Sequence, residues 1–288
     1  MNWQATRQPL DAAREHWQFG PIDLVLQAWG EADAVAHARQ AAWARFGMVL
    51  PELVAELAVL RSAVEDATQV NGRVARRMLA ACRPHAGRFI TPMAAVAGAV
   101  ADEICRFFAQ QPGMYRAYVN NGGDIALYLR AGKSLTIGVI DHPQKPRQAG
   151  TVTVTAAMPV RGIATSGWRG RSFSLGIADS VTVLAGSAAA ADAAATMIAN
   201  AVNIEHPAIV RAPASALADD TDLGARLVTV DVPRLTQGDV QRALQAGKVV
   251  ADDCRARGII DSALLLLQGQ FAAIGAQFPF DAQARLAA

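Results

Sequence analysis

The chain has 288 residues, of which 52% are hydrophobic and 18% charged, and 27 basic side chains stand against 25 acidic ones for a net charge of +2. Such a length can bury a large core, and such a composition excludes both a disordered chain and a polyanion-binding surface, so nucleic acid is not an expected partner. Cys82, Cys105 and Cys254 are far apart with no Cys-x-x-Cys spacing, which fits buried thiols in a reducing compartment and neither a metal nor a disulfide role.

The first residues, Met-Asn-Trp-Gln-Ala-Thr-Arg-Gln, lack the apolar core of a signal peptide, so cytoplasmic residence is expected. Residues 16–30 hold a Gly-Pro turn and then an apolar run that reads as a strand. Segments 31–46 and 52–67 carry good helix formers with apolar residues every three or four positions. Gly47 and Pro51 lie between them, so a helical hairpin is expected. Segment 70–82 reads as a third helix, with Arg73, Arg76 and Arg77 as its solvated face. Thr91 and Pro92 open a further helix to about Phe108, as cap and first helical residue. Nearly every side chain in 92–102 is small, so a neighbouring helix or strand, or else a ligand, must pack closely against that backbone.

From residue 115 the periodicity becomes that of strands. Runs at 115–120, 125–130, 134–140, 151–155 and 160–164 are β-branched or alternating, with Gly, Pro or Asp at their ends, and one antiparallel sheet is expected from them. Segment 179–186 adds a strand, Ser187 caps an Ala-rich helix to about Val202, and 227–232 returns to strand. Helices at 239–257 and 259–273 complete the chain. The stretch 181–202 has the length of a membrane span, but Asp192 near its middle opposes insertion, so no membrane partner is expected. The pattern reads as an α+β fold with helices packed on an antiparallel sheet.

Three polar boxes interrupt the apolar design: Asn120 to Asp124, the run Ala164, Thr165, Ser166 and Gly167, and the pair Asp192 and Thr196. For the first, a hairpin turn is the simple explanation, since Gly accepts positive φ and Asn and Asp tolerate it. Five such residues in a row also suit a ligand that closely approaches the main chain. In the third, residues four apart share a helix face, so a carboxylate and a hydroxyl can point at one centre. These are hard oxygen donors of the kind Mg²⁺ takes, though an Asp here can equally well cap a neighbouring loop.

Together these pieces resemble the ApbE superfamily of FAD-dependent protein flavin transferases. The resemblance rests on Asn121, Gly122, Gly123 and Asp124, on 138–143, on Ala164 to Gly167, on the Val-Thr-Val strand at 181–183, and on Ala191 to Thr196. It covers about 85–203, and 89–98 and 20–24 resemble boxes of a shorter, uncharacterised cytoplasmic branch. The resemblance implies one T-fold-like ApbE-type domain over 1–288, with an antiparallel sheet packed with helices and a helical segment at about 31–82. It implies a Mg²⁺ held by Asp192, Thr196 and the backbone carbonyl of Ala164 near the FAD pyrophosphate. It also places Asn121, Gly122, Gly123 and Asp124 beside a flavin pocket, joined by Thr165, Ser166, Gly167 and Gly98 as cofactor-binding positions.

This chain departs from the transferase pattern in two places. Ala97 stands where transferases carry Lys before Gly98, and the short run from Ser172 to Ser180 replaces a His-Ile-Ile-Asp-Pro box. Arg161, Arg169 and Arg171 around Trp168 offer either a phosphate or carboxylate contact or a solvated loop. Two function classes follow. One is a Mg²⁺-dependent transferase acting on FAD or a pterin-like nucleotide, with Asp179 or Asp124 as catalytic base. The other is a flavin- or pterin-binding protein without turnover. Family context adds a step in making a methanopterin-type one-carbon cofactor. A homo-oligomer stays open.

Overall fold

The computed structural model describes residues 3–140 and 148–276. In chain order these form β1 (Thr6–Pro9), β2 (Arg14–Phe19), β3 (Ile22–Gly30), α1 (Ala32–Ala55), α2 (Leu57–Leu60), α3 (Arg73–Cys82) and α4 (Val96–Gln110). Next come β4 (Met114–Asn121), β5 (Asp124–Leu129), β6 (Ser134–Ile140), β7 (Gln148–Thr155), β8 (Gly162–Ser166) and β9 (Ser180–Ala185). The remainder is α5 (Ala188–Ala201), β10 (Val210–Pro213), β11 (Leu227–Asp231), α6 (Gln237–Ala256), β12 (Ser262–Leu267) and β13 (Gln270–Ile274). The fold is a mixture of helices and antiparallel sheet, and among the described residues no helix is long and apolar enough to cross a membrane.

The chain divides into two compact units, the first being Met1–Leu135, Val154–Ala164 and Ala185–Ala193. Its strands run in the order β1, β2, β3, β4, β5 and then the start of β8. Each neighbouring pair is antiparallel. In β3, Ile22, Leu24 and Leu26 are buried while Asp23 and Val25 between them are less so, the period of two expected of a strand covered on one side. Helix α4 packs on β4 and β5, and α1 packs on β3 and α4. Trp17 of β2 meets Trp43 and Phe46 of α1 at ring distances of 5.3 and 5.6 Å.

The expected hairpin of helices is instead one continuous α1 with Pro51 inside it. Proline removes one backbone hydrogen bond and its ring crowds the carbonyl four residues back, which here belongs to Gly47. The buried stripe of Phe46, Val49 and Leu53 runs straight across the interruption, so packing outweighs the local break. The edge strand β1 was not expected: all four of its residues are exposed, and it has no apolar alternation to read.

The second unit comprises Thr136–Thr153, Thr165–Leu184 and Ala194–Ala288. Here β9, buried along its whole length, has β12 beside it and β13 beyond. Helix α6 covers β12 and β13. Two separate two-stranded sheets, β6 with β7 and β10 with β11, stand outside that sheet, so the strands do not all join one sheet as expected. The helix expected at 259–273 is the hairpin of β12 and β13. A run such as Ser-Ala-Leu-Leu-Leu-Leu has no period that separates buried helix from buried strand. Pairing with β9, distant in sequence, decides for strand.

Candidate functional site

The turn between β4 and β5 is a two-residue hairpin loop in which Asn121 pairs with Asp124. Gly122 and Gly123 take φ of +65° and +120°, conformations that cost most L-residues dearly and define the primed hairpin turns. The Asn120 Oδ1 accepts from the Gly123 N–H at 2.8 Å. Both glycines are exposed, so their identity is explained by the turn itself. Asn121 is buried and fastens the turn inward: its Nδ2 donates to the Ala97 carbonyl at 3.1 Å, and its Oδ1 accepts from the Asp23 N–H at 3.4 Å.

Across from that turn lies the start of α5. Ser187 Oγ accepts from the Ala190 N–H at 3.2 Å, the cap expected from the sequence. A second acceptor comes from α4, where the Asp102 carboxylate takes the N–H groups of Ala188 and Ala189 at 3.0 and 2.9 Å. A carboxylate on the first amides of a helix suits both their unpaired donors and the helix dipole. Burial pushes the Asp102 carboxyl up from its usual range, with those two amides and the Arg77 charge pulling the other way.

Close packing makes this arrangement possible. A Cβ on Gly98 would lie 2.3 Å from the Ala188 carbonyl oxygen, so Gly98 is small because the α5 backbone occupies that space. Ala99 and Ala101 in the same helix are fully buried, where α4 packs on β4, β5, α1 and α3.

Asp192 sits one turn further along α5. Its Oδ2 accepts from the Gly98 N–H at 3.0 Å. The side chain keeps a narrow opening to solvent, yet the protein around it strips most of its hydration. Burial, and then the negative charge of Asp124, hold its carboxyl well above the usual carboxylate range. The amides of Gly98 and Ala97 oppose that push, and Asp102 adds to it. Thr196, half-buried, lies one turn on along the same helix. Its hydroxyl makes no hydrogen bond to any described residue. Among the described residues no group of three His, Cys, Asp or Glu side chains could hold a metal ion, so a cation here would need hydroxyl and carbonyl oxygens besides the carboxylates.

Of the remaining sequence candidates, Ala164 lies fully buried at the end of the first unit's stretch Val154–Ala164, while Thr165, Ser166, Gly167 and Asp179 lie in the second unit. Thr165 Oγ1 and Thr182 Oγ1 share a hydrogen bond of 2.9 Å. A Cβ on Gly167 would meet the Asp179 carbonyl at 2.5 Å, and Ser166 is half-buried beside it. Asp179 is clamped: its Oδ1 accepts from Arg169 Nε at 2.9 Å and its Oδ2 from the Gln268 N–H at 2.6 Å. Both carboxylate oxygens of Asp179 are thus committed to hydrogen bonds within the second unit. Arg169 lies over the Trp168 ring at 4.3 Å. In the first unit, Arg161 spends its guanidinium on the carbonyls of Ala156, Met158 and Val160. Arg171 is exposed. The three cysteines are buried and form no disulfide among the described residues, and burial pushes the Cys82 and Cys105 thiols up and out of reach of ordinary thiolate chemistry. Of the motif resemblance, 141–143 lie outside the described residues.

The model of the AbpE bacteria family matches residues 5–273, nearly the whole chain. The protein belongs to the AbpE bacteria family. This chain is also similar to proteins named UPF0280. The one from Methanopyrus kandleri is 38% identical over 151 residues, covering 51% of this chain and 56% of that protein. The one from Methanosphaerula palustris is 34% identical over 198 residues, covering 66% of this chain and 77% of that protein. With the Methanothermobacter thermautotrophicus relative the covered share is 43%, so the chain spans about half the length of the first curated relatives it matches. Among solved structures, the ApbE protein of Thermotoga maritima aligns with a TM-score of 0.49 at 14% identity, covering 96% of this chain and 97% of that one. The flavinyl transferase ApbE of Pseudomonas stutzeri in its apo form aligns at 0.48 and 13%, covering 99% and 96%. The AbpE family match agrees with the resemblance that the polar boxes carry.

Proposed function

We propose that this AbpE-family protein is a flavin-transferase-type enzyme that binds FAD with Mg²⁺ through Asp192, Thr196 and the carbonyl of Ala164. The observation that supports it best is the placement of Asp192, whose Oδ2 accepts from the Gly98 N–H at 3.0 Å, with Thr196 one turn on along α5. Burial and the nearby charge of Asp124 push its carboxyl up, a repulsion that a bound cation would relieve. Asp192 and the Thr196 hydroxyl, which has no hydrogen-bond partner among the described residues, are oxygen donors of the kind a magnesium ion takes. When bound, the ion would supply charge neutralisation at a pyrophosphate. The chain's own part is to hold these oxygens still: Gly98 N–H orients Asp192, and Asp102 fixes the helix that carries it. Asp124 is the candidate base, since the Asp179 carboxylate is already ion-paired. The pairing of Asp179, together with Ala97 at the place of a transferase Lys, favours the alternative of binding without turnover.

Titration calorimetry with FAD, and in parallel with a pterin, separates these readings. Binding is expected in Mg²⁺ and lost in EDTA, and Asp192→Ala removes the dependence on metal. Equal binding in both buffers refutes the metal site. Release of AMP from FAD with a Thr-containing acceptor establishes transfer, and metal-dependent binding with no AMP establishes the binding reading.

A further inference from the structure

A second site stands in the second unit, where a cleft of about 540 Å³ opens among the loop after β11, the start of α6 and the turn between β12 and β13. Val232, Leu235 and Val240 line it with buried apolar surface, while Arg169, Arg234 and Gln270 bring polar groups to it. The two guanidiniums are its chemically distinctive feature. Arg169 uses only Nε on Asp179, and its two terminal nitrogens have no hydrogen-bond partner among the described residues. Arg234 is exposed and makes no ion pair there either. The neighbouring indole Nε1 of Trp168 is buried and likewise lacks an acceptor among the described residues. Unused donors therefore concentrate in one place, and nearby Asp239 cannot answer them because Thr236 and Arg242 already occupy it.

Hydrogen bonds through Gln268 tie the walls to one another. Gln268 adopts φ +46°, the one positive value among described non-glycine residues. It is fixed there by three bonds: its N–H to Asp179 at 2.6 Å, its Oε1 to the Leu235 N–H at 3.0 Å, and its Nε2 to the Pro233 carbonyl at 2.7 Å. That φ, with +82° at Gly269, is the one a two-residue hairpin turn between paired Leu267 and Gln270 requires. Through its bonds Gln268 ties together the segment that carries Arg169's partner and the segment that carries Arg234. Planar guanidiniums with open forks match the two oxygens of a phosphate or carboxylate, and the cleft's size suits a small molecule.

We propose that this cleft is an oxyanion site that takes the phosphate or carboxylate group of a small molecule through Arg169 and Arg234, independently of any metal at Asp192. The test uses the whole chain in EDTA at fixed ionic strength, with inorganic pyrophosphate as probe and tryptophan fluorescence and thermal unfolding as readouts. EDTA separates this outcome from that of the magnesium site. Wild type should show a saturable response, weakened about tenfold in Arg234→Gln, in keeping with the loss of one charge-assisted contact. Arg169→Lys, which keeps a cation for Asp179 and loses the fork, should weaken binding similarly while the protein stays folded. Affinity unchanged in both variants overturns the proposal. So does a response that chloride at matched ionic strength reproduces, or no saturable response in wild type.

Discussion

Replacing Gly98 by Ala tests the close contact on which the Asp192 region is built. The new Cβ would stand 2.3 Å from the Ala188 oxygen, 2.5 Å from its carbon and 2.7 Å from the Ala189 nitrogen. All three are main-chain atoms, so no rotamer change makes room, and α5 must withdraw by about 1 Å to reach ordinary contact. Overpacking of this kind costs roughly 1–3 kcal/mol. The withdrawal also stretches the bonds from Ala188 and Ala189 to Asp102, each worth about 1.5–3 kcal/mol as a bond to a charged group. Against this, Ala gains about 1 kcal/mol over Gly inside a helix. The net expectation is a loss of about 2–4 kcal/mol, or a fall of roughly 4–8 °C in Tm for a chain of this size. Gly47→Ala is the control, because nothing lies within 4 Å of its Cβ position, and it should stabilise by up to about 1 kcal/mol through helix propensity alone. Denaturant unfolding followed by circular dichroism measures both. A neutral or stabilising Gly98→Ala refutes the packing account of the small-residue stripe.

Glu103 is fully buried, with Arg45 Nε at 2.9 Å, Arg106 at 3.2 Å and Arg77 at 3.5 Å; Glu103→Gln should cost about 3 kcal/mol by leaving these cations without their shared carboxylate, read by urea unfolding. Asp102→Ala strips the α5 amides of their long-range acceptor and should lower stability by about 3 kcal/mol, the low end for two bonds to a charged group, with Asp102→Asn retaining part of it. Asp239 is held below the usual carboxylate range, first by the Thr236 hydroxyl and then by the Arg242 charge. A carboxyl lowered in the folded state contributes stability that is complete above its unfolded value and is lost as pH falls through the folded one. Asp239→Asn should therefore flatten the acid limb of the Tm profile below about pH 4 and leave the neutral region nearly parallel to wild type.

What the sequence disclosed depended on how local the deciding interaction was. The hairpin at Gly122 and Gly123 was readable because turn chemistry sits within four residues, and Ser187 as a helix cap for the same reason. Spacing alone put Asp192 and Thr196 on one face of a helix. That Asp192 leans on the Gly98 amide was not readable, since the two are 94 positions apart. Asp179 reads as a candidate base in isolation; the Gln268 N–H that occupies it lies 89 positions away. The four leucines of β12 carry no period at all, and the helix expected there yielded to pairing with β9. Pro51 carries the opposite lesson, a strong local stop signal overruled by a buried stripe that continues past it.

The ties from Gly98 and Asp102 to α5 have an evolutionary consequence. Neither helix can be exchanged for that of a distant relative without its counterpart, because a bulkier residue at 98 or a lost carboxylate at 102 would shift Asp192 even if every residue of α5 were retained. The two segments act as one cassette, and chimaeras that swap both together should outlast those that swap either alone.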